Sequence, residues 1–335
     1  MNILWAGAED IDFPTIGQLT VDTTAGHFRS GWARCGLNMP NSTASPGKSA
    51  PFTGGALTSA WLSFEFHLNV NMNTAGQLMC GFGLSGTNKW LGIGTDTTSN
   101  IKVALSKYDG TTRTQLQAEG GTSLAAAVMN RFDMQVTNYG ATATVNVYLN
   151  GSLIISFSGD TTVSGMTNFD SVFIMFQSSA NANAAVYSEI FVADSDTRAV
   201  LGLQTLALTG AGTTNAWTNN TFTNINAISF TDNTPASSNT AAQDQQYTVT
   251  TPTPSAYSVI AVSISARLAR PATATPTQVK LGYGNGAGGS FGTGAAKTPG
   301  VGYSLFEQID AINPTTGIAW TQSDLASLQL DLESA

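Results

Sequence analysis

The stretch that decides the fold class is Val145-Asn-Val-Tyr-Leu149, Asn150-Gly151, Ser152 and Leu153-Ile-Ile-Ser-Phe157. Two runs rich in β-branched and aromatic residues flank an Asn-Gly dipeptide. Asn-Gly tolerates positive φ at both central positions of a tight turn, which a two-residue hairpin requires. The stretch therefore predicts two antiparallel strands joined by a hairpin.

Other segments of the chain show the same strand character. Between Leu62 and Val70 apolar residues occupy the even positions and Ser63, Glu65, His67 and Asn69 the odd ones, which predicts a half-buried strand. The further predicted strands are Leu78 to Leu84, Trp90 to Ile93, Ile101 to Lys107, Arg131 to Thr137, Ser171 to Gln177, Tyr187 to Ala193 and Val259 to Leu268. Because strand follows strand without a long helical period, parallel α/β architectures are excluded.

The strand pattern breaks around Asp194 to Leu201, and the composition after it is richer in Thr, Asn, Pro and Ala. We therefore predict two all-β domains, residues 1–198 and a smaller antiparallel β-sandwich in residues 199–335. The second ends with one short C-terminal helix, for which Thr321 or Ser323 is the expected N-cap.

Composition limits the classes of function. Only 10% of the 335 residues are charged, and the net charge is −8 with 13 Lys and Arg scattered singly, so no basic stripe predicts nucleic-acid binding. No stretch has the length of a membrane span or the pattern of a signal peptide, so we expect folding in a reducing cytoplasm. Cys35 and Cys80 are accordingly predicted to be free, buried thiols.

Signs of catalysis or metal binding are weak. His27 and His67 are the two histidines of the chain, and neither lies in a cluster with ligand spacing. The Glu-x-Asp-x-x-Glu pattern of a glycosidase carboxylate pair on one strand does not occur, which disfavours a glycoside hydrolase. We predict no enzyme activity, no cofactor and no metal site.

The predicted strands follow a recognisable order, which includes the hairpin at Val147-Tyr-Leu-Asn-Gly151 and a late strand at Tyr187-Ser-Glu-Ile-Phe-Val-Ala-Asp194. Over residues 1–197 this order resembles that of the laminin-G and concanavalin A-like jelly-roll group. The resemblance implies an N-terminal jelly-roll β-sandwich. It also implies sugar binding through loop aromatics and amides, as is common in that group.

Four residues near predicted strand ends are candidates for glycan binding, namely Asn88, Trp90, Tyr108 and Tyr139. A glycan site would require several of them to converge on one surface. Alternatively, these residues have structural roles: Trp90 packs between the sheets, and Asn88 and the two tyrosines lie at the ends of hairpins. Aromatic side chains most often belong to the hydrophobic core.

The C-terminal stretch Asn313-Pro-Thr-Thr-Gly-Ile-Ala-Trp-Thr321 carries a second resemblance. It is similar to a C-terminal segment of many tailed-phage virion proteins. In those proteins a strand with a sequence like Ser265-Ala-Arg267 lies upstream, and a strand like Tyr303 to Glu307 comes just before the Asn-Pro turn. The resemblance implies a place in the phage particle. Trp320 within this stretch is expected to be a core residue.

Together these observations predict a non-enzymatic structural component of a tailed-phage particle: a head-decoration, head-fibre, collar or tail-associated protein. Its expected partners are other virion proteins, and a homo-oligomer, favouring a trimer, is expected from the symmetry of such particles. Its expected location is the virion, assembled in the host cytoplasm. The alternative is a host-glycan or receptor-binding protein carried on the same particle.

Overall fold

The computed structural model of the chain divides into two compact units, Ile3–Leu203 and Gln204–Ala335. The residues it describes are 1–7, 9, 12–13, 20–30, 32–39, 47–52, 54–69, 78–98, 102–175, 185–198, 202–225, 235–252, 257–273, 275–284 and 292–335. The assignment of residues 1–198 and 199–335 to two domain families stays a prediction.

The N-terminal unit consists of two antiparallel sheets. In chain order its strands are β1 (Ile3–Gly7), β2 (Thr20–Asp22), β3 (Gly36–Met39), β4 (Gly47–Lys48), β5 (Ala60–Leu68), β6 (Leu78–Gly83), β7 (Trp90–Thr95), β8 (Lys102–Tyr108), β9 (Arg113–Ser123), β10 (Met129–Thr137), β11 (Ala143–Leu149), β12 (Ser152–Gly159), β13 (Ser171–Ile174) and β14 (Ala185–Ala193). An eight-stranded sheet has the order β12-β11-β10-β5-β14-β3-β2, with β1 also paired to β14. A six-stranded sheet has the order β4-β13-β6-β7-β8-β9.

The core of this unit lies between the two sheets. Phe64 of β5 stacks on Phe132 of β10 with ring centroids 5.2 Å apart. Phe82 of β6 stacks on Phe169 with ring centroids 4.3 Å apart. All four rings are fully buried and belong to one continuous apolar cluster, as two sheet faces packed on each other require. The predicted jelly-roll β-sandwich is confirmed.

The predicted Asn-Gly hairpin joins β11 to β12. Asn150 and Gly151 have φ values of 50° and 82°, so both turn residues are left-handed. The Asn150 side chain accepts a hydrogen bond from the Arg131 backbone N–H at 2.9 Å and donates one to Asn130 at 3.1 Å. The turn is therefore tied to β10 as well as to its own strands.

The outer face of the six-stranded sheet is built on glycines. A Cβ at Gly92 would lie 2.6 Å from the Trp90 ring, and one at Gly83 would lie 2.0 Å from the Phe173 ring. Both distances are shorter than any normal carbon contact. The two aromatic rings therefore lie on the sheet only because these positions carry no side chain.

The C-terminal unit is a smaller β-sandwich. Its elements are β15 (Leu208–Asn215), α1 (Phe222–Ile225), β16 (Asp244–Val249), β17 (Val262–Leu268), β18 (Val279–Gly284), β19 (Gly292–Thr293), β20 (Ser304–Asp310), α2 (Gln322–Ala326) and β21 (Gln329–Ser334). A five-stranded sheet of order β15-β16-β21-β18-β19 and the antiparallel strand pair β17-β20 enclose a separate core. The all-β class is confirmed for this unit too.

The predicted C-terminal helix is present as α2. Thr321 is its N-cap, and Thr321 and Asp324 form a reciprocal capping box. Trp320, which precedes the cap, is 5% exposed and donates from Nε1 to the Asp310 carbonyl at 2.8 Å. Its ring packs edge-on against Tyr283. Trp320 is thus a core residue, as expected.

Three details differ from the sequence predictions. The prediction that β5 is half-buried is wrong, because all nine of its residues are buried. Neither strand β16, which begins with the polar residues Asp244, Gln245 and Gln246, nor the helical turn α1 was predicted from the sequence. Val70, Ile101 and residues 176–177, at the ends of predicted strands, lie outside the described residues.

Both cysteines, Cys35 and Cys80, are buried thiols that do not form a disulfide, which confirms the prediction. Burial raises the pKa of the Cys80 thiol well above its usual value. Among the helices within the described ranges, none has the length and apolar character needed to cross a membrane.

Candidate functional site

The four predicted glycan residues do not form one site. Trp90 is 1% exposed and packs on the outer face of the six-stranded sheet with Leu78, Phe173 and Met175, not between the sheets. Tyr108 lies opposite Trp90 on β8, with ring centroids 6.4 Å apart.

Asn88 is exposed in the turn that leads into β7. Tyr139 lies in the core between the sheets, where its hydroxyl accepts a hydrogen bond from the Val163 N–H at 3.1 Å. Sugar binding by these residues therefore stays a prediction, and Tyr139 has a structural contact of its own.

A different surface collects most of the chemistry of the N-terminal unit. We call the outer face of the eight-stranded sheet around β5 the polar face. It comprises Asp22 of β2, Asn38 of β3, Ser63, Glu65 and His67 of β5, Arg131 and Asp133 of β10, and Ser188 and Glu189 of β14. Strand register places Arg131, Glu65 and Ser188 side by side on three neighbouring strands, since Glu65 pairs with both of the others.

A bulge in β14 shapes this face. The pairing of β14 with β5 shifts register between Ser188 and Phe191, and Glu189 within the bulge has a φ of +49°. A bulge adds an unpaired residue and redirects its side chain. Ile190 returns to the core, while Glu189 is brought near Glu65 on the polar face.

Two of the carboxylates hold crossing segments against the sheet. Glu189 is paired with Arg29, whose Nε donates to Oε1 at 2.8 Å, and it also accepts a hydrogen bond from the Leu203 N–H at 3.1 Å. Asp133 accepts from the Thr197 hydroxyl at 2.8 Å, and Arg131 donates to the Thr197 carbonyl at 3.0 Å. The chain around Arg29, Thr197 and Leu203 therefore lies over the outward side of β5, which contributes to its complete burial.

The two histidines of the chain meet at one end of the polar face. Their rings stack with centroids 4.5 Å apart and an interplanar angle of 24°. His27 Nδ1 donates to the Asp22 carboxylate at 2.8 Å, and His67 Nδ1 donates to the side-chain oxygen Oδ1 of Asn69 at 2.9 Å. Positions 27 and 67 carry no sequence signal of this contact.

Burial, and then the neighbouring His27, lower the pKa of His67, against the opposing hydrogen bond to Asn69. Burial acts to raise the pKa of Asp22, but the hydrogen bonds from His27 and Thr24 outweigh it and the net shift is downward. Within the described residues, no group of three or more His, Cys, Asp or Glu side chains is arranged to hold a metal ion.

The remaining groups of the polar face are not committed to other contacts. Burial, and then the charge of Glu189, raise the pKa of Glu65 to about 7, partly offset by Arg29 and Arg131. The hydroxyls of Ser63 and Ser188 and the Asn38 amide oxygen are buried without a hydrogen-bond partner in the part of the chain that the structure describes. A buried polar group left unpaired costs about 1–3 kcal/mol.

The opposite end of β5 carries an aromatic pair on the same face. Trp61 stacks on Tyr148 of β11 with ring centroids 5.9 Å apart. The Arg198 guanidinium lies 4.4 Å from the Tyr148 ring centroid and is hydrogen-bonded to Asp196. Trp61, Ser63, Glu65 and His67 thus form one line along β5, about 20 Å long at the usual rise per residue.

In comparisons with known proteins, the matches to this chain are individual solved structures. No protein-family model matches the chain, and no curated protein matches its sequence. Cellulose induced protein Cip1 aligns over 55% of this chain and 89% of its own, with 13% identity and a TM-score of 0.36. The carbohydrate binding module CBM66 from Bacillus subtilis aligns over 52% and 91%, with 11% identity and a TM-score of 0.33.

An endo-beta-1,4-glucuronan lyase from the fungus Trichoderma reesei aligns over 58% of this chain and 91% of its own, with 11% identity and a TM-score of 0.36. At this level of similarity the likeness concerns the fold alone. Function must therefore be argued from the residues of this chain.

Proposed function

We propose that this protein binds a glycan through the polar face of its N-terminal unit and does so without catalysing a reaction. The observation that carries the proposal is the row formed by the Ser63 hydroxyl, the Glu65 carboxyl and the Ser188 hydroxyl. The Ser63 and Ser188 hydroxyls are buried without hydrogen-bond partners among the described residues, and Glu65, which is 8% exposed, lies next to both on two adjacent strands. A ligand rich in hydroxyl groups would supply those partners once the segments around Arg29 and Thr197, which cover this face, move aside.

Sugars suit this surface because each hydroxyl both donates and accepts hydrogen bonds, and sugar sites combine such groups with apolar contact. The line of outward residues from Trp61 to His67 along β5 is about 20 Å long, which matches an oligosaccharide better than a monosaccharide. The Trp61–Tyr148 pair supplies apolar surface at one end of that line.

The arrangement of carboxylates supports binding rather than glycoside hydrolysis. A hydrolase needs two carboxyl groups that act on the same bond. Here Glu189 is held by Arg29 and Asp133 is held by Thr197, so Glu65 alone remains uncommitted among the three. The expectation of no enzyme activity is therefore kept as part of the proposal.

A second candidate function, a structural role in a tailed-phage particle, is favoured by the C-terminal unit. Ile312 and Ile318 flank the Asn-Pro turn of the virion-like stretch and are 54% and 62% exposed. Together with the resemblance of this stretch to a segment of virion proteins, these two exposed side chains are where we propose contacts with other proteins of the particle. Virion partners, a trimeric assembly and location in the particle belong to this proposal, and a virion protein can bind a host glycan as well.

Glycan binding is tested by probing a glycan array with the purified full chain and with the double variant Ser63→Ala/Ser188→Ala. The wild type is expected to retain at least one glycan class, and the variant to lose it. Ser158→Ala, an exposed position on the edge strand β12 of the same sheet, is the matched control and is expected to bind like the wild type. A wild type that retains no glycan would contradict the proposal.

The virion role is tested by quantitative mass spectrometry of density-purified particles. A copy number near that of the capsomers indicates head decoration, and a few copies indicate a collar, tail or fibre protein. Particles that lack the chain would overturn this second candidate and leave glycan binding untouched.

A further inference from the structure

We propose that the loop between β2 and β3 is a pH-dependent cover of the polar face, and that the part of it around His27 leaves β5 in mildly acidic solution. This cover loop comprises the described residues 23–30 and 32–35. The proposal names how access to the site is regulated, and in that respect it rests on the proposed function. The movement of the loop itself is measured without a ligand.

The cover loop is attached to the polar face through side chains. His27 stacks on His67, and Arg29 forms a two-point contact with Glu189. Three backbone hydrogen bonds join residues of the loop to one another, each at 3.1 Å. A segment held by side chains can move locally without breaking the pairing of the strands beneath it.

The histidine stack sets the condition under which the loop is closed. The two ring centroids are 4.5 Å apart, so two charged rings would repel each other at short range. His67 is 5% exposed, and an imidazolium at that position would also lose most of its hydration. The stack is therefore compatible with one proton bound to the pair beyond the neutral state, and it is not compatible with two.

The groups next to each ring decide where these protons are held. Asp22 Oδ2 lies 2.8 Å from His27 Nδ1, so a proton on His27 is paired with a carboxylate. His67 hydrogen-bonds the neutral side chain of Asn69 instead. The second proton must therefore go to the ring that is more deeply buried and has no carboxylate bonded to it.

The surroundings of His67 give the direction of the pH effect. Opposite it on the neighbouring strands lie Met129 and Val186, which do not titrate, and the charges that act on it are those of His27 and Asp22. Burial is the main cause of the lowered pKa of His67, and His27 adds to it. The closed loop is therefore fully stable above the ordinary histidine value of 6.5 and loses stability as the pH falls from there through the lowered pKa.

Glu65, the next outward residue on β5, titrates separately from the stack. Burial, and then Glu189, raise its pKa to about 7, so it takes up its proton at a higher pH than His67. The other charges that act on Glu65 are those of Arg29, Arg131 and Asp133. Loss of the histidine stack can therefore be followed separately from the protonation of Glu65.

The opening is limited to the His27 end of the cover loop. The ion pair of Arg29 with Glu189 does not involve the histidines and holds the centre of the loop. Beyond it the loop packs on Gly202, where a Cβ would lie 2.3 Å from the Trp32 ring and 2.5 Å from the Arg29 guanidinium. A ligand of the polar face therefore gains access from the His67 end of β5.

The test is hydrogen–deuterium exchange of the full chain without ligand, read by mass spectrometry at about pH 7.5 and about pH 5 and corrected for the intrinsic effect of pH on exchange. Peptides from residues 23–30 are expected to exchange several-fold faster at the lower pH, while peptides from β5 and β14 keep their protection. His67→Phe keeps a ring against His27 without a titratable group, and it is expected to stay closed at both pH values. Glu65→Gln is the matched control and should open like the wild type.

A second measurement follows the protons themselves. Because His27 and His67 are the two histidines of the chain, NMR titration of the imidazole C–H signals resolves both protonation steps. The faster exchange of the loop should coincide with the step assigned to His67.

The outcomes separate the cover from the proposed function. Equal corrected exchange at both pH values, or opening of His67→Phe as large as that of the wild type, would overturn the cover. Loss of protection throughout the N-terminal unit would show unfolding and overturn it as well. If the loop opens but a glycan retained on the array binds equally well at both pH values, the regulation of the site is wrong while the movement stands. Absence of any glycan ligand would contradict the proposed function alone.

Discussion

At the scale of single residues, Glu65 couples the stability of the N-terminal unit to pH. Burial, and then Glu189, raise the pKa of Glu65 from an ordinary value of 4.5 to about 7. Between these values the folded chain binds the proton more tightly than the unfolded chain, so stability falls as the pH rises. Below this pH range Glu65 is protonated in both the folded and the unfolded chain, and its ionisation does not affect stability. Above the range, the ionised Glu65 lowers the free energy of unfolding by its full amount, at most about 3 kcal/mol.

Glu65→Gln should remove that penalty. The variant is expected to match the wild type near pH 4 and to exceed its free energy of unfolding near pH 8 by up to about 3 kcal/mol, measured by urea unfolding. Asp331 of the C-terminal unit, whose pKa is raised to about 7 by burial and then by Asp244, is an internal control. Asp331→Asn should shift only the transition of that unit. An equal gain for Glu65→Gln at both pH values would contradict the pH argument.

The Arg29–Glu189 pair provides a second residue-scale prediction. Glu189 is 1% exposed, so Arg29→Ala leaves a buried carboxylate without its cation. The expected loss is about 3–5 kcal/mol in the free energy of unfolding. In the double variant Arg29→Ala/Glu189→Gln the charge is gone, and a large part of that loss should be recovered. A double-mutant cycle measures this, and additive losses would show that the pair is not coupled.

At the scale of secondary-structure elements, the sequence predicted those strands in which apolar and polar residues alternate or β-branched residues are frequent. The β11–β12 hairpin is the best example, because Asn150-Gly151 has one common structural use between two such runs. Strand β16 was missed because Asp244 and the two glutamines after it are polar. This segment forms a strand because it pairs with β15 and β21, and such long-range pairing cannot be predicted from the local sequence.

The candidate site was missed for a related reason. The alternation in β5 identifies Ser63, Glu65 and His67 as one face, but it cannot reveal that segments around Arg29 and Thr197 cover that face. Nor does local sequence predict the bulge at Glu189, since a glutamate with positive φ has no local preference for that conformation. Long-range contacts determine both features.

The hairpin itself can be tested with one substitution. Gly151 has a φ of 82°, and an L-residue in the left-handed region costs about 1–2 kcal/mol. Gly151→Ala should lower the free energy of unfolding by about that amount. Gly120→Ala in β9 is the matched control, because its φ is ordinary and a Cβ there meets open space. Equal effects of the two substitutions would refute the role of the turn.

At the scale of the whole molecule, the chain contains two separately organised cores. That of the C-terminal unit comprises Ile264, Leu281, Tyr283, Trp320, Leu325 and Leu328, with partly buried neighbours. Because this core is complete within Gln204–Ala335, that segment produced alone is expected to fold. The measurement is circular dichroism with a cooperative thermal transition. A disordered segment would show that the unit depends on the rest of the chain.

The glycines under Trp90 and Phe173 have an evolutionary consequence. Since a Cβ at Gly92 or Gly83 would overlap the ring above it, neither partner of a pair can change size independently. In descendants of this sequence the two positions of each pair should covary: an alanine or larger residue replaces the glycine only where the aromatic ring has been replaced by a smaller side chain. At this sheet, substitutions are therefore expected to be accepted at both positions of a pair together rather than at one position alone.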